Sequence, residues 1–267
     1  MSGAAARRAL VTGASSGIGE ASARKLAAEG YRVALLARSG AELERVRASL
    51  PRKDHHLSLV CDLRDDAALA KALDSVRERF GGLDLLVQNA ARGYLARVEQ
   101  TEPELVRETL ELNVSAVINV ARLSLPLLRS GVDPVMVLVS SIVGRRGIPG
   151  QAVYAATKAA LNSLGEALRI EWAGDGIAVC TLNVGLTRTP FFANQPNPSA
   201  LSGPNLAGAA DPASVAEAIL ALDRAPQPEV WLSTKWRLLA IASALAPRLA
   251  DRTLARRMGG GWRAPTR

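Results

Sequence analysis

The amino-acid sequence predicts an α/β protein: one doubly wound parallel sheet of seven strands, with helices on both faces. Three observations predict it. Short apolar runs alternate with helical patterns nearly to the end of the chain. The runs are continuously apolar and rich in β-formers, as expected of parallel strands covered on both sides. A glycine-rich turn joins the first run to the first helical stretch. Strict alternation of this kind implies right-handed crossovers within a single sheet.

The elements follow in order. "RALVT" (8–12) reads as the first strand and residues 17–30 as the first helix. "RVALLA" (32–37), "HLSLVC" (56–61) and "LDLLVQ" (83–88) continue the strands, separated by helical stretches at 40–49 and 66–80. A long helical pattern covers 103–129, then come "PVMVLVS" (134–140), a helix at 152–173 and "IAVCTLN" (177–183). A helix at 212–224 and "EVWLS" (229–233) close the series. Residues 190–210, rich in Pro, Asn, Gly and Ser, make a loop long enough to suggest a functional role or disorder. No period repeats and no linker divides the chain. Residues 1–233 are therefore expected to form one domain, with a basic extension at 234–267 packed on it or on a partner.

Composition narrows the classes. A chain of 267 residues, 48% of them hydrophobic, suits one sizeable core. Cys61 and Cys180 lie in apolar strand-like runs and read as buried thiols of a reducing compartment. His55 and His56, beside Lys53 and Asp54, read as a solvated loop, so no metal site is expected. No signal peptide and no membrane-length apolar run is evident, which points to the cytoplasm. Of the net charge of +8, +7 falls within residues 235–267, leaving the remainder near neutral; nucleic acid is not an expected partner.

"LVTGASSGIGEASA" carries Gly13, Gly17 and Gly19 where a strand gives way to a helix. Glycines there let the backbone turn tightly and approach a ligand, and a helix N-terminus offers free N–H groups to a pyrophosphate. After the second strand, "ALLARSG" offers Arg38 and then Ser39, with no acid. An acid at this place would select NAD; an arginine suits the 2′-phosphate of NADP. In "QAVYAATKAAL", Tyr154 and Lys158 share one helix face. By itself that spacing also fits an ordinary amphipathic helix.

Taken together, these motifs resemble the classical short-chain dehydrogenase/reductase family, and the resemblance covers almost the whole chain. "TGASSGIG" is similar to the family's cofactor loop, and "QNAA" (88–91) to its NNAG sequence, with Gln88 and Ala91 as departures. Asn113 in "ELNVSAVIN" falls where the family has a catalytic asparagine, and Ser141 stands thirteen residues before Tyr154. "NVGLTRTP" resembles the NPGxVxT segment, with Val184 in place of proline and Thr187 in place of Val or Ile.

The resemblance implies a single-domain Rossmann fold and an NADP(H)-dependent oxidoreductase interconverting a ketone or aldehyde with an alcohol. Catalysis would fall to Asn113, Ser141, Tyr154 and Lys158. Ser140 rivals Ser141, but the thirteen-residue separation favours the latter. Cofactor contacts would come from Gly13, Ser15, Ser16, Gly17, Ile18 and Gly19 of the loop, and from Arg38 and Ser39. Asp62, Leu63, Asn89, Ala90, Gly185, Thr187 and Thr189 would add to them, besides Tyr154 and Lys158. Tyr154 would be the acid in reduction and the base in oxidation, its pKa lowered by the Lys158 cation. Candidate substrate walls are Arg92 to Leu95, Val143 to Gly150, and the loop with Phe191 and Phe192, for an apolar small molecule.

Two other functions remain open from the sequence: a non-catalytic NADP-binding regulator and a nucleotide-sugar epimerase or dehydratase. The intact Asn, Ser, Tyr and Lys set argues against the first, and the lack of a larger C-terminal substrate domain against the second. In the tail, Arg248, Arg252 and Arg256 form one helical stripe, with Ala250, Leu254 and Met258 roughly opposite. Such a helix can pack on its own subunit or on its mate in a homodimer or homotetramer. It can also lie on an anionic membrane surface.

Overall fold

The computed structural model describes residues 6–258. Seven strands, β1 (Arg8–Thr12), β2 (Arg32–Ala37), β3 (Leu57–Val60), β4 (Leu85–Gln88), β5 (Val135–Ser141), β6 (Ala178–Val184) and β7 (Glu229–Trp231), form one sheet in the order β3-β2-β1-β4-β5-β6-β7. All the pairings are parallel. Strand side chains alternate between faces. Leu10, Leu36, Leu86 and Leu138 enter one core cluster; Val11, Leu35, Val87 and Val137 enter the other. Helices α3 (Asp66–Phe80), α5 (Ala116–Arg129) and α6 (Ala152–Glu171) cover the first face. Helices α1 (Gly17–Ala28), α2 (Gly40–Ala48) and α7 (Pro212–Arg224) cover the second. Both faces are dry, which is why every central strand reads as continuously apolar.

The expected helix over 103–129 is divided. Helix α4 (Pro103–Leu110) runs into a π-helical turn at Glu111–Ser115 before α5 begins. Asn113 occupies that turn with its side chain bonded outside the helix, and π turns of this sort recur at functional sites. His56 also departs from expectation: it is buried, not solvated. Its Nδ1 accepts from the Val33 N–H at 3.0 Å, and its other ring nitrogen lies 2.9 Å from the Pro51 carbonyl. Desolvation lowers its pKa, so the neutral ring that can accept this bond is favoured.

A buried carboxylate ties the amino ends of the strands together. Asp84 accepts from the Arg8 backbone N–H at 2.7 Å, from the Arg8 guanidinium at 2.6 and 3.0 Å, and from the Val132 N–H at 2.7 Å. Desolvation alone would raise its pKa, but these donors hold it below the ordinary carboxylate value. The opposite, carboxyl ends of the strands are left free for a site.

After β7 come two further helices, α8 (Thr234–Leu245) and α9 (Pro247–Met258). Helix α9 is held by an ion pair between Asp251 and Arg146, on the turn that follows β5. The residues after Met258, including the last two arginines of the basic tail, lie outside the described residues. Among the described residues, no helix is long and apolar enough to cross a membrane.

Candidate active site

The strand order reverses between β1 and β4, and the turns leaving these neighbours part to opposite faces of the sheet. A crevice opens there, at the carboxyl ends of the strands. The turn after β1 is packed to the limit of what glycine permits. Gly13 has φ +67°, and a Cβ on it would stand 2.9 Å from Ala90 Cα. A Cβ on Gly19 would stand 2.1 Å from the Gly13 carbonyl oxygen. Thr12 joins this turn to the next strand. Its Oγ1 accepts from the Asn89 and Ala90 N–H groups at 3.0 and 3.1 Å, while Asn89 Nδ2 donates to the Thr12 carbonyl at 3.0 Å. Ser16 precedes α1 without bonding its first-turn N–H groups through its side chain, so those donors face the crevice uncapped. This cradle of close backbone and free N–H groups fits a dinucleotide diphosphate.

One cavity of about 1180 Å³ gathers most of the residues singled out from the sequence. Gly13, Ser15, Ser16, Gly17 and Ile18 line it from the first turn, and Asn89 and Ala90 from the end of β4. Arg38, Ser39, Asp62 and Leu63 line its far side; Ser141, Tyr154 and Lys158 its centre; Gly185, Thr187 and Thr189 the segment after β6. Gly19 and Asn113 are the two that do not reach the wall. Gly19 instead lets α1 approach the glycine turn. Val184, the departure from proline, continues β6 in register with Ser141. The following segment is held by Ala210, which exchanges bonds of 2.8 and 2.9 Å with Leu186 and Arg188. This brings Thr189 against the glycine turn, where a Cβ on Gly17 would lie 3.1 Å from its side chain.

On α6 the face predicted from the spacing does turn inward. Lys158 is only 3% exposed and donates to the Val139 carbonyl at 2.8 Å, with Nζ 5.8 Å from the centre of the Tyr154 ring. Burial pushes its pKa down to about 8. Burial also raises the Tyr154 phenol above its ordinary value, with the Ser141 hydroxyl pulling part of the way back. The expected lowering of Tyr154 by Lys158 is not seen in this geometry: burial raises the phenol, and the group that opposes it is Ser141. Asn113 is fully committed behind the site. Its Nδ2 donates to the Arg92 carbonyl at 2.7 Å and to Thr157 Oγ1 at 3.1 Å, and its Oδ1 accepts from the Arg92 N–H at 2.9 Å. It thereby clamps the segment after β4 to α6.

At the far side, Ser39 caps α2 by accepting from the Glu42 N–H. The Asp62 carboxylate accepts from Arg64, by a 2.7 Å guanidinium contact and a 3.0 Å backbone contact, while Asp65 caps α3. The Arg64 bond holds the Asp62 pKa below the usual carboxylate range. Arg38 is exposed and, among the described residues, has no carboxylate at ion-pair distance; Arg64 pairs with Asp62 and Arg92 with Glu108. Arg145 and Arg146, within the candidate substrate wall Val143 to Gly150, are taken by carboxylates of the chain itself: Glu166 and Glu229 at 3.0 Å, and Asp251.

The long loop closes the other side. Phe191 stacks at 5.5 Å from Tyr154, ring centre to ring centre, and Phe192 meets Phe191 edge-on at 5.3 Å. A Cβ on Gly93 would lie 2.8 Å from the Phe191 ring. The loop is fastened to the segment after β4 where Leu95 N–H meets the Pro196 carbonyl at 2.9 Å and Arg97 N–H meets Ser199 Oγ at 3.0 Å.

A family model described as short chain dehydrogenase matches residues 7–199. The chain belongs to the short-chain dehydrogenase family. It is 37% identical over 189 residues to an L-xylulose reductase of Bos taurus, covering 70% of this chain and 74% of that one. It is similar in structure to a 3-ketoacyl-(acyl-carrier-protein) reductase from Brucella melitensis complexed with NADH, at TM-score 0.76, 29% identity, and coverage of 85% and 96% of the two chains. It is also similar to an alcohol dehydrogenase from the archaeon Thermococcus sibiricus complexed with 5-hydroxy-NADP, at TM-score 0.76, 30% identity, and coverage of 86% and 97%. This short-chain dehydrogenase is thus an oxidoreductase built for a nicotinamide dinucleotide.

What sequence reasoning missed is the part played by α8 and α9 in the cavity wall, through Trp236, Leu239, Leu254 and Met258 among others. One signal was available: Asp251 is the single acid in a tail of eight bases, and it faces Arg146. The depressed Lys158 makes a prediction for the dehydrogenase as a folded molecule. Between about pH 8 and 10.5 the unfolded chain holds the proton that folded Lys158 has lost, so this residue contributes stability that rises with pH. Urea unfolding across that window is expected to show a shallower rise for Lys158→Met than for the wild type. Equal slopes would mean that Lys158 titrates at its ordinary value.

Proposed function

We propose that this oxidoreductase interconverts a carbonyl and an alcohol with NADP(H), Tyr154 serving as acid in reduction and base in oxidation. One observation carries the reading: Ser141, Tyr154 and Lys158 converge in the same cavity as the glycine turn. Bound beside them, the nicotinamide would supply or accept the hydride. In reduction the substrate oxygen would sit between Ser141 and Tyr154, where the serine hydroxyl donates a hydrogen bond and the tyrosine passes its proton to the developing alkoxide. Burial favours the protonated phenol, which is the form this direction needs. Lys158, at about 8, keeps much of its charge near neutral pH and would support tyrosinate in oxidation. Asn113 acts as a positioning residue, holding the Arg92 backbone against α6.

The choice of NADP rests on Arg38, a guanidinium with no ion-pair partner among the described residues, at the rim beside Asp62. The buried, unpaired thiols of Cys61 and Cys180 suit a cytoplasmic protein. Leu238, Ile241 and Leu245 on α8 are 61, 49 and 83% exposed, an apolar row of the kind that two copies bury together in a homo-oligomer. Light scattering is expected to show a smaller assembly after truncation at Ser233. Unchanged assembly combined with lost binding to anionic liposomes would assign the row to a bilayer.

Tyr154→Phe should keep the fold and NADPH binding while removing nearly all carbonyl reduction, because Tyr154 is the one phenol among the described residues lining the cavity. An NADPH-consumption assay over a panel of aldehydes and ketones reads this; retention of a third of the wild-type rate would end the assignment. Arg38→Asp should weaken NADPH binding and shift preference toward NADH, since it removes a phosphate partner and adds like-charge repulsion. Fluorescence titration of both cofactors checks it, and an unchanged affinity ratio would mean that Arg38 does not read the phosphate.

A further inference from the structure

The cavity is larger than its chemistry requires. Its volume of about 1180 Å³ exceeds the several hundred that a ligand pocket commonly has. The dinucleotide cradle accounts for the part beside Gly13, Arg38 and Asp62. An arm along α8 and α9 remains, and the sequence explains its shape. Small and large apolar residues recur at helical spacing on both sides of Pro247, whose ring starts α9 at a position where a missing N–H costs nothing. Trp236, Leu239 and Ala240 turn one face of α8 into the arm, Ala246 follows between the helices, and Ala250 and Leu254 line it from α9. The arginine stripe of α9 lies on its other side, with Arg248, Arg252 and Arg256 exposed.

The arm begins at the chemistry. Trp236 stands 3.6 Å from where a Gly185 Cβ would be, and Phe191 packs on Tyr154. From Trp236 to Ser243 the wall runs seven residues of helix, about 10 Å at the α-helical rise. The hydroxyls that α8 and α9 bring to the arm are already bonded within the chain, and the unpartnered polar atoms of the cavity, Arg146 Nε and Gln195 Nε2, come from the turn after β5 and the long loop. Ser243 donates to the Ala240 carbonyl and Thr253 to the Leu249 carbonyl, each at 2.8 Å, while Asp251 pairs with Arg146. Arg257 enters the lining only at the outer end, beside Met258. A polyhydroxylated substrate lying here would leave hydroxyls unpaired, which is costly; a hydrocarbon chain would lose nothing.

We propose that this arm holds the hydrocarbon chain of the substrate, so that the enzyme acts on medium- to long-chain aliphatic aldehydes, ketones or alcohols. The oxygen lies at Tyr154 and the chain runs outward between α8 and α9. The inference rests on the oxidoreductase reading above, and two readouts separate their failures. The first is NADPH-dependent reduction of an aldehyde series from butanal to dodecanal by the full-length protein. The ratio kcat/KM is expected to climb about threefold to fourfold per added methylene until the arm is filled. Ala250→Trp, which narrows the arm, should move the optimum to shorter chains. The second readout needs no turnover: terminally brominated dodecanol should quench the tryptophan fluorescence saturably, and Trp236→Phe should abolish most of that quenching. Turnover with a flat chain-length profile and no saturable quenching would overturn the arm and leave the oxidoreductase standing. Saturable quenching by Trp236 without reduction of any aldehyde would retain the arm and overturn the carbonyl chemistry.

Discussion

The close contact between the turn after β1 and the end of β4 governs the whole site. Thr12 accepts from two successive N–H groups of the neighbouring turn, and Gly13 and Gly19 leave no room for a side chain between the two backbones. This contact exists because β1 and β4 are adjacent in the sheet although far apart in sequence. Its consequence is a crevice whose floor is backbone, with the uncapped start of α1 on one side and the ends of β4 and β5 on the other. A phosphate-bearing ligand meets N–H groups there that need no reorganisation. The buried Asp84 at the opposite ends of the strands holds the same pair of strands in register.

Burial decides the electrostatics of the centre. Tyr154 and Lys158 stand on one helix face, and desolvation sets the direction for both: it raises the phenol and lowers the ammonium. Both shifts favour the neutral forms. Under the proposed chemistry, a phenol that keeps its proton until an alkoxide develops would suit reduction. Asn113 supports this arrangement from behind, through a π-helical turn that frees its side chain from the helix and commits it to Arg92 and Thr157.

Much of this was legible in the sequence because the relevant spacings are local. The alternation of apolar runs with helical patterns gave every strand, and the glycine turn, Arg38, Ser141, Tyr154 and Lys158 all converge on one cavity. The failures share a cause. His56 looked solvated beside charged neighbours, but a backbone N–H of β2, distant in sequence, needed an acceptor. The helix over 103–129 looked continuous because the partners of Asn113 lie twenty-one and forty-four residues away.

By itself, the sequence determined the fold class, the glycine turn and the set of polar residues that meet in the cavity. Each depends on residue type and short-range periodicity, which a linear reading contains. Only the tertiary structure decided how those groups are charged, what Asn113 holds, and where the tail goes. Those outcomes depend on desolvation and on contacts between distant segments. The tail shows the difference most clearly. Its amphipathic pattern could be read in the sequence, but the same pattern serves a partner subunit, a membrane or the chain's own cavity. The ion pair between Asp251 and Arg146 sets α9, with Leu254 and Met258, against the mouth of the site.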